Sequence, residues 1–361
     1  MKEKKVILSG GGTGGHLYPA LALGQKLHEQ DFRVQLIFIG SERDFEKKIM
    51  DKYGANFIPL KIEGIKGKGL KSIKSFFLLP LSFIKSLAIL LRVKPDLVIG
   101  MGGYSSGPIV LAASLMKFPT LILEQNLYPG FTNRVLVRWV RKAVVSFENS
   151  LPFFKGKGVF LGNPVREEFY SLPPKQRNNK LTLLIFGGSQ GSHFLNQAVV
   201  ATLPLLKKEK DTLRVFHQTG NADFEWVKSG YIRNEFRDVV VSPYFFDMSS
   251  YFQKSDLIIS RAGATTIAEL IASRKASLLV PFARASENHQ LRNARELEKI
   301  QGAEVLREED FSPERLAERI LFFLKNKDKI TEMEKNLEPL KKERVADRIA
   351  RSVPKFQQVL Q

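Results

Sequence analysis

Leu181-Thr-Leu-Leu-Ile-Phe-Gly-Gly-Ser-Gln-Gly-Ser192 repeats, half-way along the chain, the pattern that Val6-Ile-Leu-Ser-Gly-Gly-Gly-Thr-Gly-Gly15 sets near its start. Each is a short apolar run closed by glycines, as expected of a buried strand entering a tight turn and then a helix. Further runs of the same kind lie outward from the first one, at Val34–Ile39, Leu97–Ile99, Thr120–Leu123 and Ala143–Ser146. Helix-like stretches such as Pro19–Gln30 and Gly107–Lys117 separate several of them. Strands alternating with helices predict an α/β fold with doubly wound parallel sheets. Because the pattern restarts, two Rossmann-like domains are expected rather than one. The polar, proline-bearing stretch from Asn163 to Lys180 reads as the linker, which divides the chain into domains 1–165 and 166–344.

Composition supports a folded protein of this size. In 361 residues, 43% are hydrophobic and 26% charged, which excludes a disordered chain or a fibre. The chain has no cysteine, so disulfides, thiolate catalysis and cysteine-based metal centres are excluded. Met1-Lys-Glu-Lys-Lys-Val-Ile-Leu8 offers only three apolar residues before Ser9, too few for the core of a signal peptide, so a cytoplasmic location is expected.

The charge is lopsided. Lys and Arg number 56 against 37 Asp and Glu, a net +19, and residues 1–165 carry +13 of it (24 basic, 11 acidic). Seven basic residues and no acid fall within residues 64–94, where Phe76, Phe77, Leu78 and Leu79 stand side by side. Four adjacent apolar residues cannot all face one core stripe, so the strip reads either as a core helix with solvated lysines or as a membrane-surface anchor. An anionic membrane is the favoured counterpart, through Phe76, Phe77 and Leu79. No nucleic-acid-binding motif accompanies the lysines.

Three places could carry chemistry. Gly10-Gly-Gly-Thr-Gly-Gly15 has G-x-G-x-x-G spacing, but the second strand ends Phe38-Ile-Gly-Ser-Glu42 with no acid at its tip, which disfavours a nicotinamide dinucleotide. His16 follows this loop and is the one nearby side chain suited to act as a base near neutral pH. Gly187-Gly-Ser-Gln-Gly191 is a second phosphate cradle, with the Ser189 hydroxyl as an added donor, or else a simple strand–helix turn. In Asp256-Leu-Ile-Ile-Ser-Arg-Ala-Gly-Ala-Thr-Thr266, a strand turns at Gly263 into a helix with hydroxyls in its first turn. Glu269, a turn further in, could accept two hydrogen bonds from a ribose diol or simply favour the helix start. The five histidines have no chelating spacing and no two aspartates stand two apart, so no metal site is expected.

These motifs, together with Gly100-Met-Gly-Gly-Tyr-Ser-Ser-Gly-Pro108, Glu124-Gln-Asn126 and Gly162-Asn-Pro-Val-Arg166, resemble the MurG family of peptidoglycan glycosyltransferases, in family order over essentially the whole chain. The resemblance implies the GT-B fold, two Rossmann-like domains facing across a cleft, with a last helix near 345–361 packing back on the first. It implies inverting transfer of N-acetylglucosamine from UDP-N-acetylglucosamine to the C4 hydroxyl of the muramoyl sugar of lipid I, without cofactor, by a peripheral enzyme on the cytoplasmic face of the membrane. Carried over by position, Arg166, Ser189, the backbone at Phe245, the helix start Ala264, Thr265 and Thr266, Glu269 on the ribose, and Gln290 would hold the donor. Thr13, Gly14, Gly15 and Asn126 would lie near its sugar and the acceptor, with His16 as the base. The sequence departs from the family pattern at Ser273-Arg-Lys-Ala276, where Gly-Leu-Pro is usual. It also departs at Asn288-His-Gln290, which leaves open whether His289 or Gln290 meets the donor. A diacylglycerol glucosyltransferase of the same fold and a non-enzymatic basic binder are the rival readings.

Overall fold

A computed structural model describes residues 3–61, 72–173, 175, 179–341 and 344–358, with the side chains of 72–79, 286 and 355–358 outside that description. The chain divides into two compact units, Met1–Arg166 with Glu343–Gln361, and Glu167–Lys342.

The first unit is built on β1 (Lys4–Ser9), α1 (Gly14–Gln30), β2 (Val34–Ser41), α2 (Asp44–Lys52), β3 (Phe57–Leu60) and α3 (Ser72–Val93). It continues with β4 (Leu97–Gly100), α4 (Ser106–Leu115), β5 (Thr120–Glu124), α5 (Phe131–Leu136), β6 (Lys142–Val145) and β7 (Gly158–Phe160). The seven strands are all parallel in the order β3-β2-β1-β4-β5-β6-β7. β4 and β5 are buried at every residue, which explains why Leu97-Val-Ile99 and Leu121-Ile-Leu123 are continuous apolar runs and not alternating ones. Helices on both faces hide them, and the core includes Ile7, Ile39, Val98, Ile109 and Ile122.

The second unit repeats the plan with β8 (Leu181–Phe186), α6 (His193–Thr202), β9 (Leu213–Gln218), α7 (Phe224–Arg233), β10 (Val239–Ser242), α8 (Met248–Lys254) and β11 (Leu257–Ser260). It then adds α9 (Ala264–Ser273), β12 (Ser277–Leu279), α10 (His289–Lys299), β13 (Ala303–Val305), α11 (Pro313–Lys325) and α12 (Lys327–Asn336). Its strand order, β10-β9-β8-β11-β12-β13, is the same doubly wound arrangement. In each unit the order reverses next to the first strand, between β1 and β4 and between β8 and β11. Loops at the carboxyl ends of those strands part there and leave a crevice suited to a ligand.

The last helix, α13 (Val345–Gln358), belongs to the first unit and packs on α1. Val345, Ala346, Ile349, Ala350 and Val353 are buried at helical spacing. Gly162 makes room for it, since a Cβ there would stand 2.9 Å from a Val345 methyl.

Two local outcomes differ from the sequence pattern. α1 starts at Gly14, five residues before the Pro19–Gln30 stretch expected for it, and His16 lies in its first turn, at the helix start where the sequence sets it. Pro19, in the second turn, gives up the bond to the Gly15 carbonyl, and its ring crowds that same oxygen. α3 runs through Pro80 and carries apolar residues on its outer face as well as on its inner one, where Leu90 is fully buried and Phe83 and Leu87 pack on the core. It buries Ser82 and Ser86 while Leu81, Ile84 and Leu91 are 50%, 61% and 61% exposed. The buried hydroxyls are satisfied by the Lys61 carbonyl at 3.0 Å and the Ser82 carbonyl at 2.7 Å.

Candidate functional site

The carboxyl rim of the first sheet is assembled from glycines and buried carboxylates. Gly102 and Gly103, after β4, have φ of +88° and +77°, a region that side chains rarely enter. A Cβ on Gly102 would lie 3.1 Å from His16 Nε2, and one on Gly103 would lie 3.3 Å from Nδ1 and 2.6 Å from the Gly11 carbonyl oxygen. The imidazole is therefore seated against the glycine turn at the switch point, half-buried, with Thr13 Oγ1 at 3.4 Å from Nδ1. Gln125, at the end of β5, donates to the Met101 carbonyl at 2.7 Å and lies against the same turn.

Two carboxylates absent from the sequence-based site hold this rim in place. Glu46, fully buried on α2, accepts the Gly12 N–H at 2.6 Å, the Ser41 N–H at 2.8 Å and the Ser41 hydroxyl. Arg43 Nη1 donates to the Gly12 carbonyl at 2.5 Å, so the peptide on either side of Gly12 is tied to α2. Glu124 accepts from the Asn126 N–H at 3.0 Å, Asn126 Nδ2 at 3.2 Å, the Gly130 N–H at 3.0 Å and Asn133 Nδ2 at 2.9 Å. Burial raises the pKa of its carboxyl, and those donors oppose the rise. Asn126 is thus held by its neighbour. Arg166 is the last residue of this unit, one position past the linker division, and its guanidinium lies 4.2 Å from the Tyr18 ring centroid on α1.

The second rim is denser. The Gly187–Ser192 turn is closed by Gly188 and Gly191, with φ of +96° and +78°, and a Cβ on Gly191 would collide with the Thr219 carbonyl. Gln218, at the end of β9, donates to the Gly188 carbonyl at 2.9 Å and accepts the Phe245 N–H at 2.8 Å. One side chain therefore joins the Ser189 turn to the Phe245 backbone. The Phe245 ring is buried and stacked on Tyr251 at 3.8 Å, so its amide, not its ring, faces the turn.

Arg261, buried after β11, ties the other loops together. Its Nε donates to Ser192 Oγ at 2.9 Å and its Nη1 to the Val280 and Pro281 carbonyls at 3.0 and 3.3 Å, and it pairs with Glu308. Desolvation lowers the guanidinium pKa and Glu308 opposes that shift. Gly263 then leads into α9, with Thr265 and Glu269 buried in its first two turns and Ala264 and Thr266 half-buried. Gln290 is half-buried, and its Oε1 accepts the Phe282 N–H at 3.0 Å. Ser189, Phe245, Ala264–Thr266, Glu269 and Gln290 thus all belong to one unit, at or near the carboxyl ends of its strands. His16, Thr13, Gly14, Gly15, Asn126 and Arg166 belong to the other. The side chains of Phe76, Phe77 and Leu79 lie outside the described residues.

Residues 6–145 match the model of the glycosyltransferase family 28 N-terminal domain, and residues 182–350 match that of its C-terminal domain. A Myxococcus xanthus protein named UDP-N-acetylglucosamine–N-acetylmuramyl-(pentapeptide) pyrophosphoryl-undecaprenol N-acetylglucosamine transferase is 43% identical over 92% of this chain and 87% of its own length. A protein of the same name from Syntrophus aciditrophicus is 41% identical over 91% and 92%. The crystal structure of Acinetobacter baumannii MurG superposes with a TM-score of 0.76, at 28% identity, over 98% of this chain and 99% of that one. The chain belongs to glycosyltransferase family 28, in its MurG branch. A UDP-N-acetylglucosamine 2-epimerase from Neisseria meningitidis shares the fold alone, with a TM-score of 0.67 at 14% identity.

Where this chain departs from the family's usual Gly-Leu-Pro, the structure shows what takes its place. Arg274 ends α9 in the left-handed region (φ +52°), a position glycine ordinarily fills. It pairs with Glu338 at 2.5 Å, and the buried Lys275 beside it donates to the Ser255 carbonyl at 2.8 Å.

Proposed function

We propose that this chain transfers N-acetylglucosamine from UDP-N-acetylglucosamine to the C4 hydroxyl of the muramoyl sugar of lipid I, making lipid II with inversion. The C4 oxygen bonds to the sugar's anomeric carbon as the bond from that carbon to the diphosphate breaks. The electron pair leaves with UDP, and the hydroxyl proton passes to the His16 imidazole. Thr13, Gly14, Gly15 and Asn126 serve the acceptor and the transferred sugar. Arg166, Ser189, Phe245, Ala264, Thr265, Thr266, Glu269 and Gln290 serve the donor.

The observation that carries the donor assignment is the second rim. A glycine turn, the amino end of α9 and a buried carboxylate one turn inside it lie on one unit, cross-tied by Gln218 and Arg261. Helix amino ends stabilise phosphate negative charge through unpaired N–H groups, as a departing diphosphate requires. In this reading Glu269 binds the ribose hydroxyls. Calorimetry with UDP-N-acetylglucosamine tests the assignment. Glu269→Ala is expected to weaken binding by about 1–3 kcal/mol, the loss typical of a hydrogen-bonded charge. Unchanged affinity would remove Glu269 from the site.

The acceptor carries a long lipid, so the enzyme works at a membrane surface. No helix among the described residues is long and apolar enough to cross a membrane. The outward stripe Leu81, Ile84 and Leu91 on α3, flanked by exposed Lys85 and Arg92, supports peripheral attachment at the cytoplasmic face through anionic lipid.

A further inference from the structure

Behind the Gly187–Ser192 turn runs a chain of buried polar groups that the proposed chemistry leaves unused. Asn196, on α6, spends Nδ2 on two acceptors, the Thr219 carbonyl at 2.9 Å and Asp223 Oδ2 at 2.8 Å. Its Oδ1 must then accept, and His217 Nε2 faces it at 3.1 Å. That contact assigns the tautomer. The proton sits on Nε2, and Nδ1 accepts from the Tyr231 hydroxyl at 3.0 Å. All three side chains are buried, and burial holds the imidazole neutral by pushing its pKa down to about 3.

Each end of this chain reaches the turn. The Thr219 carbonyl, oriented by Asn196, is the surface against which Gly191 packs with no room for a side chain. Gln218, the residue after His217, grips the Gly188 carbonyl and the Phe245 N–H. A rotation of the end of β9 would therefore move both halves of the turn and the Phe245 backbone together.

We infer that His217, with Tyr231 and Asn196, is a positioning residue for donor binding: it locks the end of β9, and through Thr219 and Gln218 sets the Gly187–Ser192 turn in the geometry that receives the diphosphate. The inference rests on the reading of that turn as the donor cradle. The imidazole does not touch the ligand. An apolar residue in its place would fill the space but leave Asn196 Oδ1 without a donor and cut the tie between the end of β9 and α6, so that the Thr219 and Gln218 backbone is held less firmly.

Steady-state kinetics of the full chain, with melting temperatures, test this. His217→Leu is expected to raise the donor KM about tenfold or more while leaving the acceptor KM unchanged, as one buried acceptor stripped of its donor would produce. His217→Gln, whose amide can present a donor hydrogen to Asn196, should return the donor KM to within about threefold of wild type. Tyr231→Phe, which removes one hydroxyl, should fall between them and carries the test if His217→Leu does not fold. A purely structural role would lower the melting temperature and the active fraction with both KM values unchanged. That result, with Ser189→Ala still raising the donor KM, overturns the inference. An unchanged donor KM in Ser189→Ala removes the cradle reading itself, and the inference with it.

Discussion

Replacing Gly103 by alanine tests how His16, the proposed base, is seated. Two effects add at this position. With φ at +77°, a side chain costs about 1–2 kcal/mol in backbone strain. The new Cβ would also stand 2.6 Å from the Gly11 carbonyl oxygen, where ordinary contact needs roughly 3.5 Å, so the loops after β1 and β4 must part by about 1 Å. Neither partner is a flexible side-chain end, and overpacking of this kind adds about 1–3 kcal/mol. Gly12→Ala is the matched control, because φ is +92° there but nothing lies within 4 Å of the added carbon. Urea unfolding should therefore show a loss of about 1–2 kcal/mol for Gly12→Ala and about 2–5 kcal/mol for Gly103→Ala. Since the displaced loop leads straight into the first turn of α1, and the added carbon would also stand 3.3 Å from His16 Nδ1, the proposed base shifts with it. A misplacement of about 1 Å can cost on the order of 10²-fold, so transfer by Gly103→Ala should fall by about that factor at saturating substrate. If the two variants match in both stability and rate, the glycine turn does not seat the imidazole and the reasoning fails.

His16→Ala should lower turnover by about 10²–10⁴ with donor affinity nearly unchanged, and a near-normal rate would reduce His16 to a loop-shaping residue. On anionic vesicles at low salt the wild type should float and a Leu81/Ile84/Leu91→Ser variant should float less, while equal flotation would return α3 to an ordinary surface helix. His217 gives stability a pH dependence of definite sign. Its folded pKa is about 3 and its unfolded value near 6.5, so between them only the unfolded chain takes up the proton. Its contribution is complete above about pH 6.5 and is lost as pH falls towards 3, at up to about 1.4 kcal/mol per unit. Urea midpoints from pH 7 to pH 4 should fall more steeply for wild type than for His217→Gln, and equal slopes would contradict the buried neutral imidazole.

Much of this fold could be read from local sequence because its strands are covered on both faces. Leu97-Val-Ile99 and Leu183–Phe186 are unbroken apolar runs for that reason, and glycine follows where the backbone must turn sharply into a helix. Gly10–His16, Gly187–Gly191 and Arg261–Glu269 stand out because a tight turn between strand and helix concentrates unusual residues in a short span. What supports those turns was not visible in the same way. Glu46 reaches Gly12 across 34 positions, and Asn196 reaches His217 across 21. A glutamate in the first turn of α2 looks like any favourable helix start, and a histidine inside an apolar strand looks like a solitary core residue. The polarity of α3 was hidden for a different reason. Periodicity names an apolar stripe but not which face is covered, and here Ser82 and Ser86 are buried beside Leu90 and bonded to backbone carbonyls while Leu81, Ile84 and Leu91 face outward.

Transfer of labelled N-acetylglucosamine from the UDP donor, compared in parallel on lipid I and on diacylglycerol, tests the central claim most directly. Lipid II should form from lipid I with no glycosylated diacylglycerol, and its rate of formation should fall in His16→Ala and, at subsaturating donor, in Glu269→Ala. Label appearing on diacylglycerol, or lipid I left untouched by a well-folded enzyme with donor bound, would contradict it.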